Sequence, residues 1–255
     1  MRSNDSVGCA ILTYHSIDDS GSVISTPLKT FREQMKSLRR AGFTVITIRE
    51  LAAALQEGKP LTARTVSLTF DDGFENFYTA AFPVLEENGF RATVFLVTDF
   101  CGRHNDWSGN PKSFPRSKVL SWSKIKELSG LGVEFGNHTC THPDLTRIPL
   151  DQAEREINDS KSTIENSLGR DVTSFAYPFG RSNARIREIA ATGHETGCST
   201  DLGKVGPKSD RLDLERIDAY YLSKPGTFDR LPTKGFDRYL AFRQRLRDLK
   251  AAFSL

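Results

Sequence analysis

Two adjacent carboxylates close the segment Ser67-Leu-Thr-Phe-Asp-Asp-Gly-Phe74. Neighbouring Asp residues repel, and both lose solvation on entering a cleft, so a pair at the end of an apolar, β-branched run asks for a positive charge between them. A second segment, Glu134-Phe-Gly-Asn-His-Thr-Cys-Thr-His142, ends another strand-like run with two histidines four residues apart. Two imidazoles and one carboxylate make a sufficient catalytic zinc set with a position left open for water. On that reading Asp72 joins His138 and His142 around a divalent cation, while Asp71 stays free to take a proton from a water. An Asp-Gly turn and a pair of surface or N-cap histidines would account for each segment separately. The chain has only five His, and two of them fall here, which favours the metal. Cys140 lies between them, but alternation in extended backbone turns it away from the set.

A third run ends in Ser174-Phe-Ala-Tyr-Pro-Phe-Gly-Arg181. Pro178 stiffens the turn and removes a donor, and Gly180 lets backbone come close to a ligand. Such a turn can present a backbone N–H to an oxyanion, although an ordinary strand-to-helix turn would read the same way in isolation. The long irregular stretch from Phe100 to Trp122 holds both Trp residues of the chain. Trp107 in Asn105-Asp-Trp107 suits sugar stacking, and a lid packed on the domain is the competing reading. Trp107, Tyr177, Pro178 and Gly180 are the expected substrate contacts.

Those segments need a scaffold that brings strand ends together. Strands are predicted at 8–13, 44–46, 65–70, 92–97, 133–135, 172–176, 195–199 and 215–221, with helical stretches between them. In 65–70, Val66, Leu68 and Phe70 alternate with Ser67 and Thr69 as in a half-buried strand. Four segments repeat a helix, a glycine and a strand, with Gly42, Gly89, Gly132 and Gly193 at the expected left-handed position after each helix. Thr26-Pro27 is read as an N-cap and first helical residue, and Thr47-Ile-Arg-Glu50 as a capping box. Regular alternation argues for parallel pairing with helical crossovers, and seven or eight units in 255 residues fit a barrel better than an open sheet. In such a barrel the C-terminal strand ends share one face. No GxGxxG or GxxxxGK[ST] follows a strand, which weakens a nucleotide site.

Composition is that of a soluble globular chain, 38% hydrophobic and 26% charged. A net charge of +3 with scattered Lys and Arg gives no support to nucleic-acid binding. The densest basic run, Arg238 to Lys250, alternates with Leu and Phe as a C-terminal amphipathic helix with a solvated face. No apolar run approaches transmembrane length. The N-terminal residues lack a charged region and small-residue cleavage site around an apolar core, so a cytoplasmic location is expected. Cys9, Cys101, Cys140 and Cys198 have no CxxC spacing and are expected as buried free thiols.

In this order and at these separations, TFDDG (69–73), HTCTH (138–142) and FAYPFG (175–180) resemble the first three motifs of the polysaccharide deacetylase family, carbohydrate esterase family four, with its NodB-homology domain. The resemblance is sharp from about Thr65 to about Ile189. It implies a single α/β domain over 1–255, a distorted (β/α)7 barrel with N-terminal barrel elements in 1–64 and a C-terminal helix in 228–255. It also implies a metal-dependent deacetylase acting on N-acetylated sugars of glycans. The metal ligands would be Asp72, His138 and His142, the general base Asp71, and the oxyanion donor the backbone N–H of Phe179. Zinc is the expected ion.

Two departures sharpen the resemblance. Many members carry Arg-Pro-Pro-Tyr-Gly in the third motif, the Arg orienting the catalytic Asp; here Ala176 and Tyr177 stand at the Arg and first Pro positions. Arg216 or Arg181 must supply that support. Most members also end in a Leu-x-His motif whose His is the general acid, yet no His follows His194. His15, ending Ala10-Ile-Leu-Thr-Tyr-His15, resembles the acid of poly-N-acetylglucosamine deacetylases of biofilms, in which the motifs are circularly permuted. Asp218 is the candidate to orient it. The expected reaction is removal of N-acetyl groups from N-acetylglucosamine units of an oligo- or polysaccharide. The competing readings are an O-acetyl glycan esterase or allantoinase-like amidase on the same scaffold, and a non-catalytic glycan-binding module.

Overall fold

The computed structural model describes residues 8–111, 113–224 and 226–253. Residues 1–7, on which part of the N-terminal reading rests, lie outside them. The described residues form ten strands and eight α-helices. The strands are β1 (Ala10–Tyr14), β2 (Ser16–Ile17), β3 (Ser25–Thr26), β4 (Thr44–Ile46), β5 (Thr65–Phe70), β6 (Thr93–Leu96), β7 (Glu134–Asn137), β8 (Ser174–Ala176), β9 (Thr196–Leu202) and β10 (Leu214–Asp218). The helices are α1 (Leu28–Arg40), α2 (Ile48–Gln56), α3 (Phe82–Asn88), α4 (Trp122–Gly130), α5 (Leu150–Leu168), α6 (Ala184–Ala191), α7 (Thr227–Arg230) and α8 (Lys234–Phe253).

Every strand pairing in the main sheet is parallel, and β1 bonds both β10 and β5, so β1, β5, β6, β7, β8, β9 and β10 close a seven-stranded barrel. The distortion lies at β5. Its first half pairs with β4, Thr44 to Ile46 against Thr65 to Ser67, and its second half with β6, Thr69 and Phe70 against Thr93 and Val94. The expected barrel is therefore present, with β4 added alongside the first half of β5.

The half-buried reading of β5 needs correction, because all six of its residues are buried. Val66, Leu68 and Phe70 face the helices together with Ala10, Leu12 and Tyr14 of β1, in one large core. Ser67 and Thr69 face the narrow barrel interior, where Thr69 donates its hydroxyl to the Leu12 carbonyl. A seven-stranded interior has little room, so small polar and medium apolar side chains fill it. Phe95 is the exception. Its ring crosses to β7, and a Cβ on Gly136 would lie 2.5 Å from it.

Local signals mostly match the expected boundaries. Thr47 accepts the Glu50 N–H while Glu50 accepts the Thr47 N–H, completing the capping box of α2. Gly42, Gly89 and Gly132 are left-handed as expected, whereas Gly193 is not, because α6 closes on Thr192 in the right-handed region. Pro27 rather than Thr26 is the cap of α1, since Thr26 is taken into β3. Cys9 and Cys198 are buried free thiols, but Cys101 and Cys140 are only partly buried. No described helix is long and apolar enough to cross a membrane.

Candidate active site

Alternation along the barrel strands carries the chemistry inward. His15 follows Ile11 and Thr13 on the interior side of β1, and Asp71 follows Ser67 and Thr69 on that of β5. The next residue of an extended chain would point outward, yet Asp72 also reaches the cleft. Its φ of 70° explains how: the strand ends in a left-handed turn that swings the second carboxylate back beside the first. The four described non-glycine residues with positive φ are Asp72, Thr139, His142 and Phe179, all from the three motif segments.

Asp72, His138 and His142 converge, with one ligand atom from each lying within 4.8 Å of the others. Asp72 Oδ1 is 3.6 Å from His138 Nε2 and 3.5 Å from His142 Nε2. Bonds of about 2 Å at tetrahedral angles place ligand atoms roughly 3.3–3.5 Å apart, close to these separations. The donor chemistry fits as well. Asp72 Oδ1 is buried without a hydrogen-bond partner. His138 Nδ1 lies 2.7 Å from the Ala176 carbonyl, which can only accept, so the proton sits on Nδ1 and the Nε2 lone pair faces the set. Burial, with the neighbouring His138, holds His142 well below the usual imidazole range, so its ring is neutral and able to ligate. Burial, opposed by His15 and His138, raises the Asp72 carboxyl. These are the features of a cation site whose charge balance depends on the ion.

Asp71 sits in a different field. Burial, the largest single influence, would raise its carboxyl, but the Arg216 guanidinium, His138 and His15 together outweigh burial and hold it far below the usual range. Arg216 donates Nη1 and Nη2 to the two Asp71 oxygens at 2.8 Å each, and its Nε donates to the Ser199 carbonyl at 2.7 Å. That fork, itself fully buried, fixes the carboxylate plane. Between the two arginines considered, Arg216 therefore contacts Asp71. Arg181 instead pairs with Asp144 at the surface. His15 Nε2 stands 3.9 Å from Asp71 Oδ2.

The loop holding the two histidines hangs from outside the barrel. Glu156 of α5 accepts the N–H groups of Cys140 and Thr141 and the Thr141 hydroxyl, at 2.9, 2.8 and 2.6 Å. Asn137 Oδ1 accepts the Thr139 N–H, and Thr139 Oγ1 accepts the His142 N–H. Asn137 Nδ2 in turn donates to the Ile157 carbonyl and lies 3.1 Å from His194 Nε2, whose other ring nitrogen faces the Ala190 carbonyl. His194 is thus outside the catalytic cleft, buried and neutral, its pKa pushed down to about 4 by burial. Sequence reasoning missed Glu156 and Asn137. A Glu on the core-facing side of a predicted helix was the available signal for the first.

The residues expected to contact substrate are mostly covered. Trp107 is only 5% exposed and packs against Phe74, Phe100 and, with ring centroids 5.1 Å apart, His142. It backs His142 instead of offering a free face, so the lid reading describes it better. Tyr177 is fully buried and donates to the Leu212 carbonyl; Pro178 is buried too. Gly180 is needed for packing, since a Cβ there would lie 2.1 Å from the Thr200 hydroxyl. Phe179, at φ 58°, is partly exposed with its ring 4.7 Å from that of His142. Beyond His15 opens a cavity of about 800 Å³ lined by Arg216, Asp218, Val23, Tyr220 and Tyr221 among others. Asp218 lines it, with Oδ1 accepting the Tyr220 N–H. Tyr220 is 70% exposed, an open aromatic face that sequence reasoning passed over.

A family model described as polysaccharide deacetylase matches residues 58–196, more than half of the chain. The chain belongs to the polysaccharide deacetylase family. Among curated relatives, YxkH of Bacillus subtilis (strain 168) is 31% identical over 81% of this chain and 70% of its own length. The poly-beta-1,6-N-acetyl-D-glucosamine N-deacetylase of Staphylococcus aureus (strain MRSA252) is 26% identical over 73% of this chain, which spans 65% of that protein. The solved structure of IcaB from Ammonifex degensii superposes with a TM-score of 0.74 at 25% identity, over 94% of this chain and 98% of that one.

Proposed function

We propose that this deacetylase removes N-acetyl groups from N-acetylglucosamine units of a glycan, with poly-β-1,6-N-acetylglucosamine the first candidate. One observation carries the reading: a carboxylate clamped by Arg216 lies between a Asp72, His138 and His142 metal set and a histidine delivered by the first strand. The name of the Staphylococcus aureus relative supports the choice of glycan. A divalent cation held by the three ligands, zinc by the character of two imidazoles and one carboxylate, would supply Lewis acidity toward water and the acetyl carbonyl.

This chain's residues then divide the proton transfers. Asp71 accepts a proton from the attacking water as its oxygen bonds to the acetyl carbon. Arg216 keeps Asp71 ionised and aimed, at some cost in basicity. The Phe179 backbone N–H, turned by the left-handed conformation, donates to the developing oxyanion. His15 protonates the sugar nitrogen as the carbon–nitrogen bond breaks, giving acetate and a free amine. Asp218 lines the same cavity as His15, where it is placed to steady the imidazole, and Tyr220 offers the stacking face that Trp107 does not.

Acetate release measured in parallel from poly-β-1,6-N-acetylglucosamine oligomers, chitooligosaccharide, acetylated xylan and allantoin tests the reading. The expected result is turnover of an N-acetylated glucosamine oligomer that is lost with a chelator and restored by zinc. Turnover of xylan acetate or allantoin alone would assign the scaffold to a different substrate, and no turnover with full metal loading would leave a binding module.

A further inference from the structure

The basic run near the C-terminus has a role that deacetylation does not absorb. Helix α8 packs on β9 through one side only: Phe236 and Leu240 are buried, Gln244 accepts the Leu202 N–H, and Arg247 donates to the Thr200 carbonyl. The opposite side is not the polar face expected from sequence. Phe242, Leu246, Leu249 and Phe253 recur at spacings of four, three and four, which places them on one stripe, and each is between 45% and 87% exposed. Arg238 and Arg245 are exposed along one flank of that stripe, and Lys250 lies along the other. At 3.6 residues per turn, Asp237 and Asp248 fall away from it.

Charge distribution makes the same distinction. The helix carries six cations and two carboxylates, whereas the whole chain has a net charge of only +3, so the remainder of the protein is slightly acidic. An apolar stripe edged by arginines, on a molecule whose other residues nearly cancel in charge, is complementary to a surface that is both apolar and negative. A two-fold contact with a second copy would bury the same stripe but set Arg238 and Arg245 of both copies close together, a like-charge arrangement.

We propose that this face of α8 docks on an anionic lipid surface. The four apolar side chains enter the boundary between headgroups and acyl chains, while the flanking arginines remain with the phosphates. The inference is independent of the catalytic reading, since membrane binding is measured without turnover.

Co-sedimentation of the full chain with phosphatidylcholine vesicles, with and without phosphatidylglycerol, is the test. Binding is expected to the anionic vesicles only and to weaken at high salt. Arg238→Glu with Arg245→Glu should lower vesicle affinity roughly tenfold or more. Leu246→Ser with Leu249→Ser should abolish binding. All four sites are exposed, so helix content by circular dichroism and turnover of a soluble oligosaccharide should be unchanged; if the serine variant loses helix, the charge reversal carries the test. Sedimentation with neither vesicle type, or equally with both, overturns the proposal. So does a dimer in light scattering that Leu246→Ser dissociates, which would give the stripe to a second copy.

Discussion

At the end of the barrel where helices run into strands, left-handed backbone falls on Gly42, Gly89 and Gly132; at the opposite end it falls on Gly73 and Gly180 and also on the non-glycine residues Asp72, Thr139, His142 and Phe179. The conformational demand is the same and the residues are not. A glycine adopts positive φ freely, while a side chain there costs about 1–2 kcal/mol. At the first end the turn only redirects the chain, so the cheapest residue serves. At the second the turns also carry the Asp72 carboxylate, the Thr139 hydroxyl that accepts the His142 N–H, the His142 imidazole and the Phe179 ring, and glycine could supply none of these side chains. Strain is accepted where chemistry needs it and is held by neighbours: Glu156 and Asn137 grip the His loop, and the Thr200 hydroxyl packs against Gly180 beside Phe179.

The comparison breaks most visibly if the strained end can lose a reacting group without consequence. His15→Ala should lower kcat on an N-acetyl substrate by roughly 10²–10⁴-fold with metal content unchanged. An aryl acetate, whose leaving group needs no proton, should be far less affected. A rate near wild type on the N-acetyl substrate would remove His15 from the mechanism. Asp71→Asn should fall in the same range while keeping its metal, as measured by elemental analysis.

A next-largest effect concerns the support behind the loop. His194 is held neutral, its pKa about 4 when folded against an ordinary 6.5. Below pH 6.5 the unfolded chain binds a proton that the folded chain refuses, so stability is complete above that pH and declines as pH falls toward 4. That decline should be roughly 2–3 kcal/mol larger in the wild type than in His194→Gln when denaturation of the metal-free proteins is compared at pH 7.5 and 4.5. Identical pH dependence in the two proteins would mean that His194 is not the buried neutral group described.

Glu156→Gln should weaken zinc binding by about 10–100-fold, the usual cost of losing an outer support of a ligand. Competition with a chromogenic chelator measures it, and Glu156→Asp should restore less than the wild type because its carboxylate is one methylene short of the loop. The smallest effect belongs to the other end of the barrel. Gly42→Ala should cost about 1 kcal/mol of stability with unchanged kcat. A large loss of activity in that variant would mean that the two ends are not separable.

Much of this was legible in the chain because it follows from local rules. Period-two patterning and the helix–glycine–strand repeat gave the barrel and most strand positions, and residue type with spacing gave Asp71, Asp72, His138 and His142, since a cation is the simple answer to two adjacent carboxylates near paired imidazoles. Set against the family resemblance, the missing third-motif arginine and C-terminal histidine were also readable, and they directed attention to Arg216 or Arg181 and to His15. Closure of the barrel decided the rest. Only when β10 lies between β1 and β9 does Arg216, far along the chain from Asp71, meet both its oxygens. Only the packing of α5 beneath the loop reveals Glu156 as its anchor. Trp107 and Tyr177 had suitable chemistry for a sugar and were buried by their neighbours, whereas Tyr220 was left exposed at the cavity. Composition and period report which residues can react or pack; which of them share a cleft, and which are covered, depends on contacts between distant segments that no local pattern encodes.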